Sequence, residues 1–127
     1  MKIYVAHSGS LDYKKLLYTP IRESEINKGN IIVLPHEYDT EPYNSREFLK
    51  ECDLMVAEVS YPSTGLGIEL GWADVYKTPI ACIYLKGSKI STSLKVLTSN
   101  FIEYENSEEL LEKLTTLINK FEIKSSD

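Results

Sequence analysis

The sequence has few cysteines and few positive charges, and each shortage excludes a class of protein. The only two cysteines among 127 residues, Cys52 and Cys82, lie in apolar runs without CxxC spacing. This pattern predicts buried free thiols in a reducing compartment rather than a disulfide scaffold. Fourteen Lys and Arg against nineteen Asp and Glu give a net charge of −5. A nucleic-acid polymer is therefore not the expected partner, because neutralising its phosphates requires a concentrated basic face.

Long hydrophobic runs are also missing from the sequence. No stretch approaches the roughly 20 residues of a membrane span, and the first residues lack the apolar segment of a signal peptide. We therefore expect a cytoplasmic protein without membrane contact. The two histidines and two cysteines are too far apart to form a ligand set, so no metal and no cofactor are expected. The length predicts one domain over residues 1–127, with one core and little chain left for a deep pocket.

What the sequence does contain is an alternation of strand and helix patterns. Short apolar runs predict five strands, amphipathic segments predict helices, and Pro20 is expected to kink or restart the first helix. Asn44 with Glu47, and Asn106 with Glu109, have the spacing of a capping box. The predicted strands are residues 3–6, 31–34, 54–59, 80–85 and 101–104; the predicted helices are residues 13–27, a short helix after Asn44, about 66–76, and the region after Asn106.

This alternation predicts a three-layer α/β/α domain with a five-stranded parallel sheet of flavodoxin-like order 2-1-3-4-5. In that order the chain reverses direction between strands one and three, and ligands bind beyond the carboxyl ends of the strands there. Two loops meet at this point, residues 7–10 after strand one and residues 60–67 after strand three. The functional site is therefore predicted between these two loops.

The loop after strand three carries groups suited to an anion. Gly65 and Gly67 allow close backbone approach, amides at a helix start attract oxyanions, and Ser63 and Thr64 add hydroxyl groups. Phosphate matches this chemistry best, although Ser63 or Thr64 serving only as a helix cap fits the segment equally well. Glu69 is expected in the first turn of the next helix, where a carboxylate is favourable in any case. Sheltered by apolar neighbours, it can act as a nucleophile or stabilise positive charge on a sugar.

The glycine spacing of this loop also invites comparison with a dinucleotide-binding fingerprint. The pattern Gly65-x-Gly67-x-x-x-Gly71 follows the third predicted strand, whereas the fingerprint follows the first strand of a Rossmann unit. The fingerprint also requires an acidic residue at the end of the next strand, where this chain has Leu85 and Lys86. A dinucleotide site is therefore the weaker interpretation.

Residues 53–71 resemble the nucleoside 2-deoxyribosyltransferase superfamily, and most closely its 2'-deoxynucleoside 5'-phosphate N-hydrolase branch. The stretch reads D-L-M-V-A-E-V-S-Y-P-S-T-G-L-G-I-E-L-G and is similar to the family's strand, loop and helix start almost throughout. The following A-D-V-Y-K-T-P-I-A-C-I-Y also fits. The resemblance implies cleavage of the N-glycosidic bond of a (deoxy)nucleoside 5'-monophosphate, by hydrolysis or by deoxyribosyl transfer to another base.

The resemblance also implies roles for individual residues. Glu69 matches the nucleophilic glutamate that attacks the anomeric carbon, and Tyr4 matches a tyrosine beside it. Ser63 and Gly67 match positions that hold the 5'-phosphate, and the amide of Gly65 is expected to join them. The remaining expected substrate-binding residues are Ser8 and His7 in the first loop, His36 after the second strand, and Ser93, at the place from which such enzymes donate a serine to a neighbouring subunit.

Two features depart from the family pattern. The family's first loop is usually a glycine-serine turn with an arginine and further glycines, whereas this chain has His7-Ser8-Gly9-Ser10. An aspartate that orients the sugar normally lies eight residues before the position of Asp53, and this chain has Ser45 there. A second carboxylate must then come from elsewhere, and the sequence leaves four candidates open. These candidates are Glu58, Asp12, Glu37 and Asp39.

Three rival functions follow from the same residues. Ser45 in place of the aspartate suggests a catalytically silent nucleotide-binding protein. The opening I-Y-V-A-H-S is faintly similar to a TIR-type NAD glycohydrolase, although the E-L-G helix start argues against it. A receiver domain is the least favoured, because the acidic pair after strand one and the aspartate ending strand three are missing.

The small size also predicts association between copies of the chain. A site formed by two loops needs another wall, which the polar residues 86–99 of a neighbouring subunit would supply. Tyr61, Tyr76 and Tyr84 lie on elements expected to meet there, and tyrosine is favoured at interfaces. A homodimer or higher symmetric oligomer with shared active sites is therefore expected.

Overall fold

A parallel five-stranded sheet organises the fold. The computed structural model describes residues 1–38 and 44–125. The strands are β1 (Lys2–His7), β2 (Ile31–Val33), β3 (Leu54–Glu58), β4 (Ile80–Leu85) and β5 (Asn100–Tyr104). All neighbouring pairs are parallel and the order is β2-β1-β3-β4-β5, which confirms the predicted flavodoxin-like topology. In this register His7 lies opposite Glu58, so the carboxyl ends of β1 and β3 meet at one edge.

Helices cover both faces of the sheet, as the three-layer prediction requires. They are α1 (Thr19–Arg22), α2 (Ser45–Glu51), α3 (Thr64–Val75) and α4 (Ser107–Ser125). Because side chains alternate along a strand, Ile3 and Val5 of β1 pack with Leu114 of α4, whereas Tyr4 packs on the opposite face with Leu70 of α3. The two buried clusters make both faces of the sheet part of the core.

The first helical segment is broken rather than continuous. The prediction of one helix over residues 13–27 is wrong in detail, because a π-helical turn (Lys14–Tyr18), α1 and a 3₁₀ turn (Glu25–Asn27) succeed one another. Pro20 lies in the first turn of α1, where its missing N–H leaves no hydrogen bond unmade. The predicted restart at Pro20 is therefore confirmed.

Helix α3 begins two residues earlier than its apolar pattern indicates. The Ser63 side chain accepts a hydrogen bond from the Leu66 amide at 3.2 Å and caps the helix, so that Thr64 is its first residue. Glu69 consequently lies in the second turn, and the predicted interaction of its carboxylate with the first-turn dipole is wrong. Gly65 and two further glycines lie within α3, and a Cβ added at any of them would meet nothing within 4 Å.

The other predicted caps are present. Asn44 accepts from the Arg46 amide at 3.2 Å at the start of α2, and Asn106 accepts from the Glu109 amide at 2.9 Å before α4. The polar segment after β4 contains a 3₁₀ helix (Thr92–Val96). None of the helices within residues 1–38 and 44–125 has the length and apolar character needed to cross a membrane.

Candidate active site

A cavity of about 330 Å³ opens beside the carboxyl ends of β1 and β2. The loops after these strands form one wall, and the first turn of α2 and the first three turns of α3 form the other. The lining residues are Tyr4, His7, Gly9, Pro35, His36, Ser45, Ser63, Gly65, Leu66, Ile68, Glu69 and Trp72. Six of the nine residues predicted from the sequence therefore line one cavity, at the edge where the topology places a ligand.

Glu69 is held in this cavity by hydroxyl groups from two other elements. Its Oε2 accepts hydrogen bonds from the phenol of Tyr4 on β1 and from Ser45 Oγ on α2, the latter at 2.5 Å. Within the described part of the chain no group donates to Oε1. Burial and the nearby charge of Glu69 raise the pKa of Tyr4 well above its usual value, so the phenol remains a proton donor at physiological pH. The carboxylate thus has one restrained oxygen and one available to a bound molecule.

Apolar side chains surround this carboxylate. Leu66, Ile68 and Trp72 of α3 line the cavity, and Pro35 lies on the opposite wall. The Arg46 guanidinium lies 5.9 Å from the centre of the Trp72 ring, within the range of a cation–π contact. Such walls reduce the access of water, which strengthens the interactions of Glu69 with developing positive charge on a ligand.

His7 is fixed by hydrogen bonds to the protein. Its Nδ1 lies 3.0 Å from the Ser8 carbonyl oxygen, which accepts only, so Nδ1 carries the proton. Its Nε2, 2.7 Å from the Tyr18 hydroxyl, accepts from that phenol, which in turn accepts from the His36 amide at 3.0 Å. Burial lowers the pKa of His7, so the ring is neutral at pH 7. The expectation that His7 offers a charge or an N–H donor to the substrate is therefore wrong.

Tyr18 is the member of this network that sequence reasoning missed. In the sequence, Tyr18 falls within a helical apolar pattern and therefore looks like an ordinary core residue. No motif in the chain between Tyr18 and His36 links the two residues. Through its hydroxyl it connects the loops after β1 and β2, both of which line the cavity. His36 itself is exposed and lies on the cavity wall.

The predicted phosphate-binding residues fall into two groups. Ser63 and Gly65 line the cavity, and the Ser63 oxygen that caps α3 keeps its own proton for a ligand. The Gly67 amide instead donates to the Ser63 carbonyl at 3.1 Å within the helix, so it is not available to an anion. Ser8 lies outside the lining, and its Oγ accepts from the Ser10 amide at 3.1 Å.

Ser93 lies apart from the cavity, exposed on the 3₁₀ helix after β4. Within one copy of the described chain, Ser93 does not contact Glu69. The prediction that it reaches the site of a neighbouring subunit stays a prediction.

None of the described candidates for a second carboxylate lines the cavity. Glu37 is bound by Arg22 through two hydrogen bonds of 2.7 and 2.8 Å, and Asp12 is exposed on the first loop. Glu58 is buried on the α4 side of the sheet, where burial raises the pKa of its carboxyl group. Asp39 lies outside the described residues. Among the residues described along the cavity, Glu69 is the single carboxylate.

The fold and site define a class: a flavodoxin-like domain with a carboxylate in a cavity at the carboxyl edge of its sheet. No protein-family model matches the chain. A protein of Thermofilum pendens named "Putative 2'-deoxynucleoside 5'-phosphate N-hydrolase 1" is 28% identical over 93% of this chain and 95% of its own length. A protein of the same name from Syntrophotalea carbinolica is 36% identical over 66 residues, which cover 50% of this chain and 46% of that relative.

Among solved structures, a CMP N-glycosidase of Clostridium botulinum superposes with a TM-score of 0.66 at 24% identity. The superposition covers 91% of this chain and 99% of that one, and it shows the fold. The sequence matches and the shared fold support a likeness of this chain to the nucleoside 2-deoxyribosyltransferase-like superfamily.

Proposed function

We propose that the chain cleaves the N-glycosidic bond of a nucleoside 5'-monophosphate, with Glu69 as the nucleophile. The observation that carries this proposal is the half-buried Glu69 carboxylate, with Oε2 bound by Tyr4 and Ser45 and Oε1 open to a ligand. Two relatives carry names that specify a 2'-deoxynucleoside 5'-phosphate N-hydrolase, and these names support the same substrate class.

In the proposed first step, Glu69 Oε1 forms a bond to the anomeric carbon while the bond from that carbon to the base breaks. The base leaves with the bonding electrons and takes up a proton from solvent. In the second step, water attacks the anomeric carbon of the glycosyl ester and gives up a proton to solvent, while the bond from that carbon to Glu69 breaks and releases the carboxylate. A second base in place of water would give deoxyribosyl transfer. Both routes retain the configuration of the sugar.

The substrate phosphate is assigned to the end of the cavity nearest the start of α3. The Ser63 hydroxyl and the amide of Gly65, one of the first helical amides without an intrahelical acceptor, are suitable donors there. The positive end of the helix dipole adds a favourable field for a dianion. The sugar would then lie along α3 between Ser63 and Glu69.

The test is to incubate the purified protein with nucleoside and deoxynucleoside monophosphates, the corresponding nucleosides, and NAD. We expect a free base to be released from a monophosphate, and Glu69→Gln to abolish release. Glu112→Gln, which changes an exposed glutamate of α4, is the matched control and should leave the rate unchanged. Base release that survives in Glu69→Gln would refute Glu69 as nucleophile, and nicotinamide release would indicate an NAD glycohydrolase.

A second candidate function follows from the single carboxylate in the described lining. Without a second carboxylate to activate water, the protein would bind a nucleotide and turn it over slowly or not at all. Calorimetry distinguishes the two functions, since binding of a monophosphate without base release would favour the silent binding protein. Addition of a second free base to the active enzyme separates hydrolysis from transfer.

We further propose a homodimer in which Ser93 of one copy approaches the phosphate end of the other copy's cavity. Ile68 and Val75, seven residues apart and so on one face of α3, are 48% and 75% exposed. Tyr61, in the loop that precedes α3, is 44% exposed. Sedimentation at micromolar concentration should show a dimer, and a fully active monomer would refute this proposal.

A further inference from the structure

Glu58 is a buried carboxylate that the proposed reaction does not use. It ends β3, is 1% exposed, and lies on the side of the sheet opposite Glu69. Its Oε1 accepts from the Ser60 amide at 2.6 Å, and its Oε2 accepts from Ser60 Oγ at 2.9 Å and from the phenol of Tyr104. Three donors therefore converge on one carboxylate in the core.

This cluster joins the ends of three strands. Tyr104 is the last residue of β5, and Ser60 Oγ also accepts from the amide of Leu85, the last residue of β4, at 2.8 Å. Tyr104 is fully buried and Ser60 is 9% exposed, so water does not compete for these bonds. The first residue of the loop after β3 is thereby fixed against both neighbouring strands.

Burying a carboxylate in the core is unfavourable unless hydrogen bonds offset its desolvation. An apolar residue at the same position would carry no desolvation penalty. The donors that bind Glu58 indicate the structural role of this carboxylate. Of its three donors, two belong to Ser60, and Ser60 stands three residues before Ser63. Between them only Tyr61 and Pro62 intervene, both exposed.

We propose that Glu58 is a positioning residue that sets the phosphate-binding end of the cavity by fixing the loop of residues 60–63. This proposal rests on the proposed function, because it takes Ser63 as a donor to the 5'-phosphate. Glu58 acts through Ser60 and the loop, and it touches neither the substrate nor Glu69. Its loss therefore affects recognition of the phosphate and leaves the chemistry at the anomeric carbon intact.

The test compares each nucleotide with its nucleoside, which lacks the phosphate. In Glu58→Gln, the carboxamide turns its NH2 group toward the Ser60 amide or toward Ser60 Oγ and Tyr104, so the side chain at position 58 no longer accepts all three hydrogen bonds. We expect kcat/KM for the nucleotide to fall by about tenfold or more, through KM, while kcat/KM for the nucleoside changes by less than about threefold. Tyr104→Phe removes one donor without adding another and should show a smaller change of the same kind.

Thr78→Val is the matched control. It removes a buried hydroxyl that donates to the Leu49 carbonyl at 2.7 Å, away from the loop, and should leave the ratio of nucleotide to nucleoside unchanged. An unchanged ratio in folded Glu58→Gln, or an equal fall for both substrates, would overturn the proposal. Should Glu58→Gln fail to fold, Tyr104→Phe decides: a lower ratio of nucleotide to nucleoside supports the proposal, and an unchanged ratio or an equal fall for both substrates overturns it.

Binding measurements keep this proposal separate from the proposed function. If the wild-type protein releases no base, the cleavage proposal fails, and the positioning role is then tested by calorimetry with a nucleotide and its nucleoside. A preference for the nucleotide that Glu58→Gln reduces by about tenfold would support the role of Glu58. A wild-type protein that binds both equally, or neither, would overturn it.

Discussion

The Ser45→Ala substitution tests the geometry of the site at its most informative contact. Ser45 is 2% exposed and donates to Glu69 Oε2 at 2.5 Å, so the variant removes one of the two donors that fix the carboxylate. A hydrogen bond to a charged group contributes about 1.5–3 kcal/mol. If that energy holds the carboxylate in the attacking orientation, its loss lowers kcat by roughly 10- to 150-fold at about 1.4 kcal/mol per decade.

The assay is base release from the preferred monophosphate under saturating and limiting substrate. We expect kcat of Ser45→Ala to fall while KM changes by less than about threefold, because the contact is made to Glu69 and not to the phosphate end. Ser45→Thr keeps the hydroxyl and should restore most of the rate. Tyr4→Phe removes the other donor to the same oxygen, so the double variant should lose less than the product of the two single losses.

The reasoning is refuted if kcat of Ser45→Ala stays within about threefold of the wild type, since the hydroxyl would then contribute nothing to orienting Glu69. Equal losses in Ser45→Ala and Ser45→Thr would also refute it, because the effect would come from packing and not from the hydrogen bond.

Two further predictions concern buried titratable groups. Burial raises the pKa of the phenols of Tyr4, Tyr18 and Tyr104. These three phenols should therefore stay protonated at pH 11 in the folded protein and contribute nothing to its tyrosinate absorbance. Because the raised pKa values make the folded state retain protons, the free energy of unfolding should fall as pH rises above about 10. Burial also raises the pKa of Cys52 and Cys82 to about 11, so at pH 8 neither thiol should react with Ellman's reagent until denaturant is added. Native-state reaction of either thiol, or full phenol titration in the folded protein, would contradict these predictions.

The topology was predictable because it follows from local patterns. Five apolar runs separated by helical segments leave few arrangements, and the connection rules for parallel strands select the observed order. The same rules bring the two loops together, so the neighbourhood of Glu69 was predictable before any contact was known. The caps of α2 and α4 were predictable too, since Asn44 and Asn106 act within a few residues of their own position.

The errors arose where contacts distant in sequence decide the outcome. In the sequence, Ser45 stands out only because the family pattern has an aspartate at that position. Its hydrogen bond to Glu69 depends on how α2 packs against α3, which no local pattern specifies. His7 lines the cavity as expected, but the Ser8 carbonyl and the Tyr18 hydroxyl occupy its two ring nitrogens, and neither contact has a signal in the sequence. The start of α3 was misplaced because a glycine-rich loop and a glycine-containing first turn have the same local pattern.

The glycines of α3 have a consequence for motion. Gly65, Gly67 and Gly71 each weaken a helix by about 0.5–1 kcal/mol relative to alanine, and none is required by a close neighbour. The helix that carries Glu69 is therefore ordered by its Ser63 cap and by its packing on the sheet, and hardly by its own propensity. We therefore expect this helix to open locally at a lower free energy than that of global unfolding. Its amide protons should exchange faster than those of α4, and a bound nucleotide should slow that exchange. The fraction of molecules in which Glu69 occupies its place in the cavity would then increase when the nucleotide binds.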